Sequence, residues 1–105
     1  MKRLKPTHPG EVLNEDYLKP LGLSQNKLAV SIGVPPRRIN EIVLGKRGIT
    51  ADTALRLGIY FKTSPEAWLG LQKEYELDCA RLADEAALLR RIKPFKPSGQ
   101  LACAV

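Results

Sequence analysis

Arg37, Arg38 and Asn40 fall within one helical turn of each other, Glu41 follows, and Gln25, Lys46 and Arg47 lie a short way to either side. Side chains of these types at this spacing recognise by hydrogen bonding rather than break bonds. Arginine presents a planar fork that matches guanine O6 and N7, and asparagine matches the edge of adenine. A lysine and an arginine in the next loop suit phosphate oxygens, as does an amide at a helix start. Around Arg37, Arg38, Lys46 and Arg47 the only acid is Glu41. A local basic cluster on one element suits a polyanion. Taken alone, a charge cluster is also what a solvated face looks like.

Other chemistries lack their residues. Cys79 and Cys103 stand 24 positions apart, neither in a CxxC pair, and the one histidine, His8, is distant from both. A structural zinc site needs four ligands, usually in close pairs, so no metal is expected. Cys79 lies on an apolar helical stripe and reads as a small core residue, and Cys103 as a free thiol in the tail. His8, beside Pro9, reads as a helix cap. No paired carboxylates and no Ser–His or Cys–His arrangement at a recognisable spacing appear, so neither an enzyme nor a cofactor is expected. Asp52 and Glu66 sit in first helical turns, where the helix dipole accounts for them.

The elements that must carry the basic cluster are helices. The first is expected to start near Pro9, capped by Thr7 or His8, to bury Val12, Leu13 and Tyr17, and to stop before Lys19-Pro20. Ser24 caps a second, with Leu28, Ala29 and Ile32 inward, and Gly33 ends it in a left-handed conformation. A third begins at Pro35-Pro36 and ends at Gly45. Thr50 caps a fourth, along which Ala51, Ala54, Leu55, Gly58 and Phe61 follow the helical period. Ser64, Pro65 and Glu66 form a strong start for a fifth. Its pattern runs through Trp68, Leu69, Gln72 and Tyr75, then along Tyr75, Cys79, Leu82, Ala86 and Leu89. That stripe suits either a seam between two copies, with Trp68 as a possible anchor, or packing back onto the bundle. Trp68 at helical spacing also suits the core.

Within residues 24–47 the spacing is more informative than any single residue. Gln25 opens the second helix; Ala29 is small where two helices cross; Gly33 supplies the positive φ of a sharp turn. Val34 and Ile39 fill the inner angle, and Ile42 ties the third helix to the core. Pro36, Arg37, Arg38, Asn40 and Glu41 are left largely outward and are expected to read bases, where the second helix of a helix-turn-helix meets the major groove. Gln25, Lys46 and Arg47 are left for phosphates. An ordinary αα-corner with surface arginines is the plainer alternative.

Residues 24–47, SQNKLAVSIGVPPRRINEIVLGKR, resemble the Xre/Cro-like helix-turn-helix superfamily. HPGEVL at 8–13, LKPLGLSQNKLA at 18–29, VPPRRINEIVLGKRGITADTALRL at 34–57 and YFKTSPEAWLGLQ at 60–72 look like the HigA-type antitoxins, also called the VapI or plasmid-maintenance antidote family. RGITADTALRL and TSPEAWLGLQ are the distinctive pieces. The resemblance implies an all-α, five-helix, lambda-repressor-like bundle with an extended C-terminal helix. It implies a homodimeric repressor of its own operon, bound to a palindromic double-stranded operator, that also neutralises a RelE-like, HigB-type mRNA endonuclease toxin. A stand-alone Xre-type repressor without a toxin is the alternative. Pro35 departs from the hydroxyl cap common in the superfamily, and residues 81–105 match no family pattern.

The rest of the chain sets limits. It has 105 residues, 44% hydrophobic and 27% charged, with a net charge of +6, which suits one soluble domain. The expected organisation is a flexible basic arm at 1–8 holding Lys2, Arg3 and Lys5, a domain at 9–92, and a loose tail at 93–105 broken by Pro94, Pro97, Ser98 and Gly99. No apolar run approaches the ~18 residues of a membrane span, so a cytoplasmic protein with no membrane contact is expected.

Overall fold

The computed structural model describes residues 5–97; Lys2 and Arg3 of the expected arm, and Ser98, Gly99 and Cys103 of the expected tail, lie outside them. The described chain is five helices. Helix α1 covers residues 9–21 as three continuous stretches, Pro9–Val12, a π-helical Leu13–Leu18, and Lys19–Leu21. It is followed by α2 (Gln25–Ile32), α3 (Pro36–Val43), α4 (Ala51–Phe61) and α5 (Pro65–Arg91).

The starts follow local chemistry. His8 Nδ1 accepts from the Gly10 N–H at 2.9 Å, Ser24 Oγ from Lys27 at 3.0 Å, and Ser64 Oγ from Ala67 at 2.9 Å. Thr50 Oγ1 faces the Thr53 N–H at 3.4 Å. Each satisfies a donor that the first turn leaves without a partner. Pro35 caps α3 without a side-chain hydrogen bond, and Pro36 at the first position needs no N–H partner.

The expected end of α1 before Lys19-Pro20 is wrong. A proline inside a helix lacks an N–H and its ring strikes the carbonyl four residues back. Here the helix widens just before it: the Lys19 N–H reaches Asn14 O, five residues back, and the wider turn admits Pro20. The helix ends instead at Gly22, φ 61°.

The core lies where α1 to α4 meet the first turns of α5. Leu13, Leu28, Ile39, Ile42 and Leu57 are fully buried. Tyr17 packs its ring 4.8 Å from Phe61 and 5.1 Å from Trp68. Trp68 is 2% exposed and donates from Nε1 to Thr63 Oγ1 at 2.8 Å. It belongs to the core, not to an outer seam, which corrects its placement among the seam candidates. On α4 the inward residues are Thr53, Ala54, Leu57 and Gly58. Leu55, expected on that face, is 54% exposed, because its position lies about 160° round the helix from the buried Leu57.

Gly10 sets the fit of α1 against α3. A Cβ there would overlap the Ile42 carbonyl oxygen and lie 2.6 Å from its carbon. Helix α5 outruns this bundle. Its 27 residues span about 40 Å at ~1.5 Å each, and the molecule measures 60 × 25 × 25 Å. Beyond Tyr75 its leucines are open: Leu77 is 51% exposed, Leu82 66%, Leu89 73%.

Candidate nucleic-acid interface

Helices α2 and α3 form the expected corner. Gly33 ends α2 at φ 74°, and its N–H and that of Val34 bond back to Val30 O and Ala29 O at 3.2 and 3.0 Å. This closes the last turn of α2 and swings the chain into α3. Ala29, Val34, Ile39 and Ile42 are all buried in the angle. With that face of α3 inward, Pro36, Arg37 and Asn40 are exposed on the other, and Arg38 and Glu41 flank them half-buried.

The outward side chains are not independent. Arg37 Nε donates to Glu41 Oε2 at 3.0 Å, and Arg47 Nε and Nη2 both reach Glu41 Oε1 at 2.9 Å. Hydrogen bonds from Arg47, then Arg37, hold the Glu41 carboxyl below its ordinary range. A second carboxylate repeats the arrangement. Asp52 Oδ2 accepts from Arg38 Nη1 and Arg56 Nε, both at 3.0 Å, and these bonds, Arg56's first, also lower its pKa. Arg56 Nη1 goes on to donate to Ile32 O at 2.8 Å, pinning the end of α2. Asn40 Nδ2 lies 3.3 Å from Gln25 Oε1, so the start of α2 and the middle of α3 share one polar contact.

Lys46 and Arg47 stand exposed on the loop after α3. That loop is held from behind. Gln72, 8% exposed on α5, accepts from the Ile49 N–H at 2.8 Å and donates to Glu76 Oε2 at 2.8 Å. Gly48 lies so close that a Cβ would stand 2.8 Å from Gln72 Nε2.

Sequence reasoning gave Asp52 only a dipole role and passed over Arg56. The four-residue spacing of the pair was the available signal. Gln72, a polar residue on an apolar stripe, was another. Among the described residues no group of three or more His, Cys, Asp or Glu could hold a metal ion, and no helix is long and apolar enough to cross a membrane.

A short capped corner, a buried inner angle and an arginine-rich outer face define a helix-turn-helix DNA-binding protein. The family model described as Helix-turn-helix matches residues 15–68. Virulence-associated protein I of Dichelobacter nodosus is 58% identical over 70% of this chain and 68% of its own length. Antitoxin HigA of Pseudomonas aeruginosa, solved with the higBA promoter, is 40% identical, covers 88% of this chain and 100% of that one, and superposes with a TM-score of 0.84. An addiction-module antidote protein of the HigA family from Coxiella burnetii is 39% identical over 88% of this chain and 100% of that one, with a TM-score of 0.83. The chain belongs to the Xre-type helix-turn-helix family and, within it, to the HigA-like antitoxins, whose members are DNA-binding regulators rather than catalysts.

Proposed function

We propose that this chain is the antitoxin of a type II toxin–antitoxin pair. It binds a palindromic operator as a homodimer, represses its own operon and neutralises a RelE-like endonuclease toxin. The observation that carries the DNA half is the outer face of α3. Arg37, Arg38 and Asn40 project from a helix whose opposite face is locked in the core, and a relative of 40% identity was solved with its promoter. Arg37, Arg38 and Asn40, with Pro36 beside them, read bases in the major groove; Gln25, Lys46 and Arg47 hold phosphates. Two copies set their α3 helices about 34 Å apart, one turn of DNA. The stripe of Tyr75, Cys79, Leu82 and Leu89 on α5 supplies the seam between them.

The test is co-purification with the product of the neighbouring small open reading frame, then a gel shift on the shared promoter. A complex that retards the promoter is expected. A shift with no protein partner would remove the toxin and leave a plain repressor. Arg37→Ala should weaken operator binding by about 1–3 kcal/mol and relax base preference, while Lys46→Ala should weaken all duplexes alike and lower the salt slope by about 1. Unchanged binding in both would remove α3 and its loop from these roles.

A further inference from the structure

We infer that Glu41 reads no base itself and is the positioning residue that sets operator discrimination, by holding Arg37 with its guanidinium fork free and Arg47 beside it. This rests on the DNA-binding reading above.

A carboxylate on a DNA-facing helix repels phosphate, so its presence there calls for a compensating role. The geometry supplies one. Arg37 is 83% exposed along its side chain and spends only Nε on Glu41, at 3.0 Å. Both terminal nitrogens stay open for a bidentate contact, the mode that distinguishes guanine from other bases. Arg47 is gripped differently, side-on, through Nε and Nη2 at 2.9 Å each. That leaves one edge, which suits a single phosphate. Glu41 itself is turned inward between the two, with 24% of its side chain exposed and both oxygens occupied.

Arg38 provides the contrast. It spends a terminal nitrogen, Nη1, on Asp52 of α4, and only 29% of its side chain is exposed. One terminal nitrogen of its fork is already engaged. Of the two arginines, Arg37 is the one delivered to the groove with its fork whole. An exposed arginine without such a partner samples many rotamers, and a bidentate contact loses affinity for each one that must be frozen.

The experiment separates positioning from charge. The probe is the duplex that the wild-type chain itself enriches from random-sequence DNA, paired with a scrambled duplex of the same composition. Glu41→Ala and Glu41→Gln both remove the negative charge, so both should bind the scrambled duplex more tightly. Glu41→Ala removes both acceptors, whereas Glu41→Gln keeps one amide oxygen, enough to hold Arg37 Nε, and puts a donor in place of the other. Glu41→Ala should lower the operator-to-scrambled affinity ratio about tenfold, the scale of one good bidentate contact, while Glu41→Gln retains most of the ratio. Against an Arg37→Lys background, Glu41→Ala should cost little further discrimination, because its effect runs through Arg37. Equal ratios for Ala and Gln, or a full additional loss in the Arg37→Lys background, would overturn the assignment. Failure of the wild type to enrich any sequence would overturn the DNA-binding reading with it.

Discussion

The two halves of α5 are one unbroken helix with opposite fates. Up to Gln72 its apolar and amide side chains are absorbed by the bundle: Trp68 is 2% exposed and Gln72 8%. From Leu77 onward the leucines face outward, and Leu82 and Leu89 are 66% and 73% exposed. The first half is stabilised by tertiary burial, the usual source of helix stability in a protein. The second has helix continuity, a loose Arg81–Asp78 pair at 3.6 Å, and Arg90 and Arg91 in the last turn, where the dipole favours cations. Such surface pairs contribute roughly 0–1 kcal/mol each. The pattern of a helix therefore says which face is apolar, not which surface covers it. Substitutions should separate the halves by size of effect.

The largest loss should come where the bundle tolerates no added atom. Gly10→Ala places a methyl on the Ile42 carbonyl, so α1 and α3 must move apart. Overpacking of this kind costs about 3 kcal/mol or more when backbone is the obstacle. Gly70→Ala is its counterpart on an open face of α5, with nothing within 4 Å. It should stabilise by about 0.5–1 kcal/mol through helix propensity alone. Urea midpoints for the pair measure both. A tolerated Gly10→Ala would mean that α1 does not seat on α3 as described.

Next in size is the amide that joins the bundle half of α5 to the basic loop. Gln72→Ala leaves the Ile49 N–H buried without its acceptor, at a cost of about 1–3 kcal/mol. Because Lys46 and Arg47 ride on that loop, affinity for operator and scrambled DNA should fall together. An unchanged urea midpoint would show the loop to be held by other contacts.

Much of this was legible in the chain. Ser24, Thr50 and Ser64 marked three helix starts, and Gly33 marked the corner, because caps and left-handed turns are set by a few neighbouring residues. The inward set Ala29, Val34, Ile39 and Ile42 was legible too, since the spacing of a helical corner leaves few alternatives. Lys19-Pro20 misled, because a wider turn can admit a proline that an α-turn cannot. Leu55 misled for another reason: a leucine at the margin of a helical stripe can face either way. The carboxylate bridges were least legible. Glu41 to Arg47 and Asp52 to Arg38 join residues whose meeting depends on how α3 is docked on its loop and on α4. Trp68 was legible as core from its helical spacing; what the chain did not show was that Tyr17 and Phe61 arrive from other helices to cover it, which removes the seam alternative.

A smaller, pH-dependent effect should appear where the chain before α1 touches α5. The His8 ring caps α1 through Nδ1 and meets the Tyr75 ring edge-on at 4.8 Å. Burial lowers its pKa from 6.5, against the opposing charge of Glu11. The folded state thus favours neutral imidazole, and between the two pKa values the unfolded chain binds more protons. The stabilisation is complete above the ordinary imidazole range near 6.5 and is lost as pH falls through the depressed folded value. His8→Asn keeps a cap acceptor and removes the titration, so its stability should be flatter with pH below about 6.5. Identical pH profiles would show that His8 is not held neutral.

The smallest effect on the single chain should come from the outer half of α5, and its smallness is informative. Leu82→Ala and Leu89→Ala remove side chains that touch little of their own bundle. At concentrations where the protein is monomeric, stability should change by less than about 0.5 kcal/mol. Alanine also favours the helix slightly. If the stripe is the seam of a homodimer, the same variants should shift sedimentation toward monomer and remove the concentration dependence of Tm. Operator affinity should fall as well, because two half-sites would no longer be bound as one unit. A loss of 2 kcal/mol or more in the monomer would instead place these leucines against their own bundle and erase the difference between the two halves. A dimer left intact by both variants would keep that difference and move the seam elsewhere.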